Sequence, residues 1–246
     1  MFNGGYYFVK VAQMNDNVKI VMNWSSGKDA ALAYHMLAHQ RGYRVTHLLT
    51  TLSEEHDRVF MHGVREKLLD MQAQRMKLPL IKVKLPASPD DTLYNHAMLQ
   101  TMEGLKSQGV TVAAYGDIFL DDLRAYRERQ LAQVGMTALF PLWKKDTKEL
   151  VQMIELSGIE AIIVCVNEKY LGKEFLGRKI NADFLNSLPP NVDPCGENGE
   201  FHTYVYNAPF FSSPIPITTG EIVHKTYTAP DGDKRWDTGF YFLDVV

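Results

Sequence analysis

Short apolar runs alternate with stretches of helical periodicity over most of the chain. The runs at residues 19–24, 44–52, 80–85, 111–115, 138–142 and 161–166 predict strands. The stretches at 28–41, 58–76, 91–108 and 120–135 repeat apolar positions three and four apart and predict helices. Strands alternating with helices make a parallel sheet covered on both faces, so the expected class is α/β, doubly wound and Rossmann-like. Asp146-Thr147-Lys148-Glu149 reads as a capping box, with Asp146 as N-cap and Glu149 three residues on, before an apolar stripe. Beyond residue 166 the alternation gives way to Gly-, Pro- and Asn-rich connections and a few late strands, which predicts a smaller α+β domain. The expected boundary falls near 143–146, dividing the chain into a larger domain at 18–143 and a smaller one at 144–246. Residues 1–17 precede the first strand and leave three readings open: an extra strand, a flexible arm, or an upstream start with Met14 as initiator.

The junction between the first strand and the first helix is Ser25-Ser26-Gly27-Lys28-Asp29. A strand–loop–helix turn aims backbone N–H groups and the positive end of a helix dipole at one spot. Ser25 and Ser26 add hydroxyl donors, Gly27 permits close backbone approach, and Lys28 brings a full positive charge. Such a pocket suits a di- or triphosphate, and Asp29 is placed to hold Mg²⁺ beside it. A Walker P-loop is excluded, because Met22 stands where it needs Gly and Asp29 where it needs Ser or Thr. The competing reading is an ordinary turn with Ser25 or Ser26 as helix N-cap. Position after the first strand of an α/β sheet, where phosphates bind, favours the phosphate site.

Composition narrows the class. The 246 residues are 46% hydrophobic, enough for one substantial core or one core with a small second domain. A net charge of −3 argues against bulk nucleic-acid binding, which needs a basic face. Two cysteines, Cys165 and Cys195, argue against a disulfide framework and suit a reducing compartment. No apolar run reaches membrane-spanning length and no secretory leader pattern opens the chain, so the expectation is a soluble cytoplasmic protein without a membrane partner.

The loop Ser25-Ser26-Gly27-Lys28-Asp29-Ala30 resembles the S-G-G-x-D-S loop of the PP-loop ATP pyrophosphatases. Tyr115-Gly116-Asp117-Ile118, Pro141-Leu142-Trp143 and Cys195-Gly196-Glu197-Asn198-Gly199-Glu200-Phe201-His202-Thr203 narrow the match. Together these stretches resemble the diphthine–ammonia ligase family, the N-type ATP pyrophosphatases of the HUP/PP-loop class. The likeness runs from the first strand to about Pro209. Ser26 stands for a Gly of that loop and Ala30 for its Ser, while Phe201-His202-Thr203 stands where many members have Tyr-Glu-Thr.

Other residues acquire candidate roles beside that loop. Gly116 and Asp117 end the fourth predicted strand on the same sheet edge. Gly116 would let a nucleotide approach, and Asp117 would bind Mg²⁺ or a ribose hydroxyl; a turn with Asp117 capping the next helix reads equally well. Arg124 and Arg127 start one turn from that edge and could reach phosphates or an adenylate, although a solvated helix laced with ion pairs reads the same way; the resemblance favours one of them in the site, Arg124 being preferred to Arg127. Glu197 and Glu200 would hold a cationic substrate or deprotonate ammonium, and His202 would carry protons, against the alternative of a solvated hairpin. Trp143 walls the site or sits as a buried hinge. His62 touches the nucleotide, or Gly63 beside it serves close packing. The segment 170–173 closes over the acceptor or forms a surface turn. His35 and His39, four apart without a third ligand, read as a surface pair. Cys165 reads as core, and Cys195 as structural in its loop.

What the resemblance implies is an ATP-dependent amide ligase. ATP and Mg²⁺ occupy the loop, an acceptor carboxylate attacks the α-phosphorus, pyrophosphate leaves, and ammonia displaces AMP from the acyl-adenylate. The family's acceptor is diphthine, a modified histidine on a translation elongation factor. Its quaternary ammonium would meet Glu197, Glu200 and the aromatic Phe201 or Tyr204. Free ammonia is the expected nitrogen source, and a homodimer is compatible with the sequence. Ligation of a different small carboxylate and non-catalytic binding of ATP or AMP remain as alternatives. A tRNA-modifying enzyme would want a basic acceptor domain and paired cysteines.

Overall fold

The computed structural model of the chain describes residues 17–55, 58–59, 62–86, 90–227 and 238–246; the predicted extension at 1–17 lies, but for its last residue, outside them. The first strand, β1 (Val18–Asn23), is buried on both sides at its centre. Successive side chains leave a strand on opposite faces. Ile20 and Met22 accordingly enter one core cluster and Val21 the other. Helix α1 (Lys28–Ala38) covers the first face through Ala30, Ala31, Leu32, Ala33 and Leu37. Strand β2 (Tyr43–Ser53), the two-residue β3 (Arg58–Val59), helix α2 (Glu66–Met76), β4 (Leu80–Leu85), α3 (Asp91–Ser107), β5 (Val110–Ala114), α4 (Asp121–Gln133) and β6 (Thr137–Leu139) complete the first sheet and its helices. All its pairings are parallel except β2 with β3, and its order is β4-β2-β1-β5-β6 with β3 added antiparallel to the end of β2. Met102 and Leu105 of α3 and Leu131 of α4 cover the second face. The expected α/β doubly wound architecture is the one observed.

Two predicted elements differ. The helix expected at 58–76 begins only at Glu66, because Arg58–Val59 pairs with β2 and Gly63 follows with φ +68°. A Cβ at Gly63 would also come within 2.8 Å of the Phe242 ring, so both backbone and packing require glycine there. The strand expected at 138–142 stops at Leu139, where Pro141 and a turn closed by Trp143 N–H donating to Phe140 C=O end the pairing.

Helix α5 (Thr147–Leu156) starts where its cap predicts, the Asp146 carboxylate accepting from the N–H of Lys148 and Glu149. Strand β7 (Glu160–Asn167), short helix α6 (Ala182–Ser187), β8 (Phe201–Asn207), β9 (Thr219–Tyr227) and β10 (Thr238–Val245) follow. They build a second, antiparallel sheet in the order β8-β7-β10-β9. β7 is buried along its length, whereas β9 is an edge strand exposed at every residue.

The two sheets share one core. The larger apolar cluster runs from Ile20, Met22 and Trp24 through Leu150 and Ile154 of α5 to Ile163, Phe201 and Val205. Polar bonds cross the same seam. Gln72 of α2 is fully buried; its Oε1 accepts from Trp24 Nε1–H at 2.8 Å, and its amide donates to Val205 C=O at 2.7 Å and Ser26 C=O at 3.1 Å. Val205 N–H donates to Ser26 C=O at 3.0 Å. Strand β8 is thereby stitched to the loop that follows β1.

Replacing Gln72 strands the Trp24 N–H and the Val205 carbonyl, each at a cost of about 1–3 kcal/mol when buried and unsatisfied. Gln72→Met, which nearly keeps the volume, is expected to lose about 2–4 kcal/mol of unfolding free energy in urea. Loss below about 1 kcal/mol would mean that water takes over both bonds.

Candidate active site

In open α/β sheets ligands bind beyond the carboxyl ends of the strands, where the chain order reverses. Here that point lies between β1 and β5, and a cleft of about 500 Å³ opens there. Its walls come from the ends of β1 and β5, residues 49–51 of β2, Tyr94 and Met98 of α3, the first turns of α1 and α4, and the loop 195–203.

The loop after β1 is built for an anion. Gly27, not a serine, is the N-cap of α1 and contributes no side-chain cap, so the capping alternative fails. The first N–H groups of a helix have no partner within it. Of these, Lys28 N–H is taken by Thr203 Oγ1 at 3.0 Å, which leaves the following amides for a ligand. Ser26 holds φ +72°, in the left-handed region, and this explains why the resembling loop has Gly at that position. Its side chain is fully buried and, unlike Ser25, does not line the cleft, so it is no phosphate donor in this conformation, contrary to expectation. Ser25 does line the cleft.

Lys28 is 2% exposed, yet it lines the cleft, with two hydrogen bonds on its ammonium. Nζ donates to Asp29 Oδ2 at 2.8 Å and to the Cys195 carbonyl, and lies 5.1 Å from the Phe201 ring centre. Burial works against the charge, but Asp29 and the neighbouring acidic groups outweigh it and hold the pKa above the usual lysine value. Asp29 Oδ1 is buried with no hydrogen-bond partner. That orphaned oxygen fits Mg²⁺. No cluster of three or more metal-ligating side chains exists among the described residues, so a nucleotide would have to share the ion.

Across the sheet edge, Gly116 serves packing. A Cβ there would lie 2.9 Å from Ala30 N and from Asp29 C, so the glycine lets β5 press against the start of α1, and it also lines the cleft. Asp117 caps no helix, since the N-cap of α4 is Leu120; it pairs with Arg127, Nε to Oδ2 at 2.6 Å. The Arg127 guanidinium also stacks 4.2 Å from the Tyr115 ring centre. Burial raises the Asp117 pKa and Arg127 opposes it.

Arg124, the expected catalytic arginine, does not line the cleft. It pairs with Glu128 at 2.8 Å and stacks on Trp143 at 4.7 Å, outside the site. Helical spacing explains the correction: Leu120, Leu123 and Arg127 are three and four apart and share the cleft face, while Arg124 is turned off it. Trp143 belongs to that outer stack and does not wall the cleft.

In the loop 195–203, Glu197 faces the cleft and accepts from Ile118 N–H at 2.7 Å. Burial pushes its pKa up to about 7. Glu200 is the second correction. It is 1% exposed and does not line the cleft; its carboxylate accepts from Asp193 N–H, Asn198 N–H and the Asn198 amide, and so holds the loop together. Tyr204 is likewise buried away from the cleft, donating to Leu68 C=O. His202 lines the cleft with its ring centre 4.5 Å from that of His62, and burial holds its pKa well below the usual histidine value. Cys195 donates Sγ–H to Thr147 C=O, and burial raises both cysteines, Cys165 to about 12, which keeps them as unreactive thiols. His35 and His39 stand together at the end of α1, outside the cleft, His39 Nδ1 on His35 C=O. The segment 170–173 also lies outside it.

A loop that offers helix amides beside Lys28 and Asp29, facing a glutamate loop from a second sheet, is the arrangement that sequence comparison meets again. The diphthamide synthase N-terminal domain matches residues 18–138 and its C-terminal domain residues 146–244. The chain belongs to the diphthamide synthase family. Among curated relatives, diphthine–ammonia ligase of Rattus norvegicus is 27% identical over 187 residues, covering 70% of each chain. That of Danio rerio is 28% identical, covering 70% of this chain and 73% of its own. The Schizosaccharomyces pombe ligase is 30% identical over 135 residues, 53% of this chain and 20% of its own. Membership places the chain among ATP-dependent ligases. Among the described residues no helix is long and apolar enough to cross a membrane.

The two arginines separate by experiment. Arg127→Ala removes a cation from the cleft wall and frees Asp117, so ATP affinity by calorimetry is expected to fall at least about tenfold, the effect of one charge-assisted hydrogen bond. Arg124→Ala is expected to stay within about twofold, as an exposed i,i+4 pair contributes under 1 kcal/mol. The reverse ranking would return Arg124 to the site.

Proposed function

We propose that this chain activates a carboxylate as an acyl-adenylate and passes the acyl group to ammonia. The observation that supports this most is the meeting, in one cleft, of an uncapped helix N-terminus with Lys28 and a carboxylate, Glu197, whose pKa sits near neutrality. The acceptor carboxylate oxygen attacks the α-phosphorus of ATP and the bond to the bridging oxygen breaks. Lys28 and the loop amides stabilise the departing pyrophosphate. Mg²⁺ held at Asp29 would neutralise phosphate charge when bound. Ammonia then attacks the acyl carbon, AMP leaves with the C–O bond electrons, and Glu197 accepts the proton that nitrogen loses. The products are an amide, AMP and pyrophosphate.

The names of the relatives make diphthine the first acceptor to consider. A second reading, another small carboxylate, draws on the charge of the cleft. Asp29 is paired with Lys28 and Asp117 with Arg127, Glu200 and Tyr204 are turned away, and His202 is uncharged where many members have Glu. That leaves Glu197 and the Phe201 ring to meet a quaternary ammonium, fewer groups than the sequence suggested.

Acceptor-dependent turnover with ATP, Mg²⁺ and ammonium is expected to release AMP and pyrophosphate on chromatography, diphthine-bearing elongation factor being tested beside a panel of small carboxylates. ADP and phosphate would overturn the bond assignment. Lys28→Ala is expected to reduce turnover at least about tenfold.

Glu197 acts as base only when ionised, so its contribution grows as pH rises through about 7 and is lost below. At constant free ammonia, kcat/KM is expected to climb through that range in the wild type. Glu197→Gln should abolish the climb; a profile identical in both proteins would remove Glu197 from proton transfer.

A further inference from the structure

His62 and His202 form a cluster that the reaction as drawn leaves unused. Their rings lie 31° apart in plane at 4.5 Å, and both line the cleft. His62 packs against the backbone of the anion loop: a Cβ on Gly27 would sit 3.2 Å from His62 Cε1. Each ring has a buried nitrogen with no hydrogen-bond partner among the described residues, Nδ1 of His62 and Nε2 of His202. Two such nitrogens on adjacent rings, one ring packed beside the N-cap of α1, are costly in an interior unless a ligand uses them.

We infer that His62 and His202 form the subsite for the terminal phosphates, the pyrophosphate half of the nucleotide, and that the pair takes up a proton when this polyanion binds. The inference rests on the proposed nucleotide reading and adds to it a binding site and a proton. Both rings are held in the neutral form at neutral pH. Burial depresses His62 to about 4, a bond to the Thr203 backbone opposes this, and the Lys28 charge adds to the depression; burial, the other ring and Lys28 act the same way on His202. Glu197 and Asp29 line the same cleft, Asp29 paired with Lys28. A polyphosphate reverses the balance: its negative charge favours an imidazolium, and a protonated ring turns a nitrogen lone pair into an N–H that donates to a phosphate oxygen. The proton comes from solvent, no covalent bond changes, and the proton returns when pyrophosphate leaves. The pair would thus favour the departing pyrophosphate over a neutral group while leaving the acceptor end of the cleft to Glu197.

Calorimetric titration of the full chain with inorganic pyrophosphate, in buffers of different ionisation enthalpy, measures the proton count. The wild type is expected to take up about one proton more than His62→Asn or His202→Asn, and each variant to bind roughly tenfold more weakly. Nitrogen-15 spectra of the wild-type imidazoles provide a measurement that needs no variant. Saturating pyrophosphate should convert neutral-ring signals of the pair to imidazolium signals at pH 7.5. Tight binding with both rings still neutral would overturn the subsite and leave the nucleotide reading standing. No binding of pyrophosphate or ATP to the wild type would overturn both.

Discussion

The loop after β1 is held from across the molecule and not by its flanking helix alone. Ser26 C=O receives the N–H of Val205 and the amide of Gln72, Lys28 N–H is bonded to Thr203, and the Lys28 ammonium to the Cys195 carbonyl. These bonds over-determine a conformation that a lone turn would resist. A serine at φ +72° is strained by an amount of order 1–3 kcal/mol, and persists only where the surroundings fix it. The same contacts bring Glu197 and His202 to the nucleotide edge. Loop shape, site composition and the seam between the two sheets are one constraint.

The cleft uses its charges sparingly. Each deep cation is already paired, Lys28 with Asp29 and Arg127 with Asp117, so neither is an isolated buried charge. Such pairs contribute little net stability, but they fix dipoles and charges before substrate arrives, which is where electrostatic catalysis gains most. Glu197, lacking a cationic partner of its own, is the group whose ionisation burial can move toward neutrality.

The order of strands and helices was legible because each segment is long enough for its period to show, as in β1, β2, α3 and the Asp146 cap. The late start of α2 was not, since Gly63 and the pairing of Arg58–Val59 act through tertiary contacts. The loop residues 25–29 stood out by composition, but the burial of the Ser26 hydroxyl depends on a dihedral angle that composition does not carry. Arg124 and Arg127 looked alike in sequence; the cleft-facing row Leu120, Leu123, Arg127 was the signal that separates them. Glu200 and Glu197 were likewise indistinguishable by type, and only the count of backbone donors around Glu200 makes it the scaffold of its loop.

Two of the bonds that shape the loop span 175 and 167 residues of sequence. Closing such distances is entropically slow and must await nearly the whole polypeptide. On a ribosome, the first strand and helix would emerge long before β8, and the nascent chain would hold a turn without its clamps. Completion of this loop therefore belongs to the last stage of synthesis. A truncated or prematurely released product that lacks β8 would fail to sequester ATP, however well its leading sheet had formed.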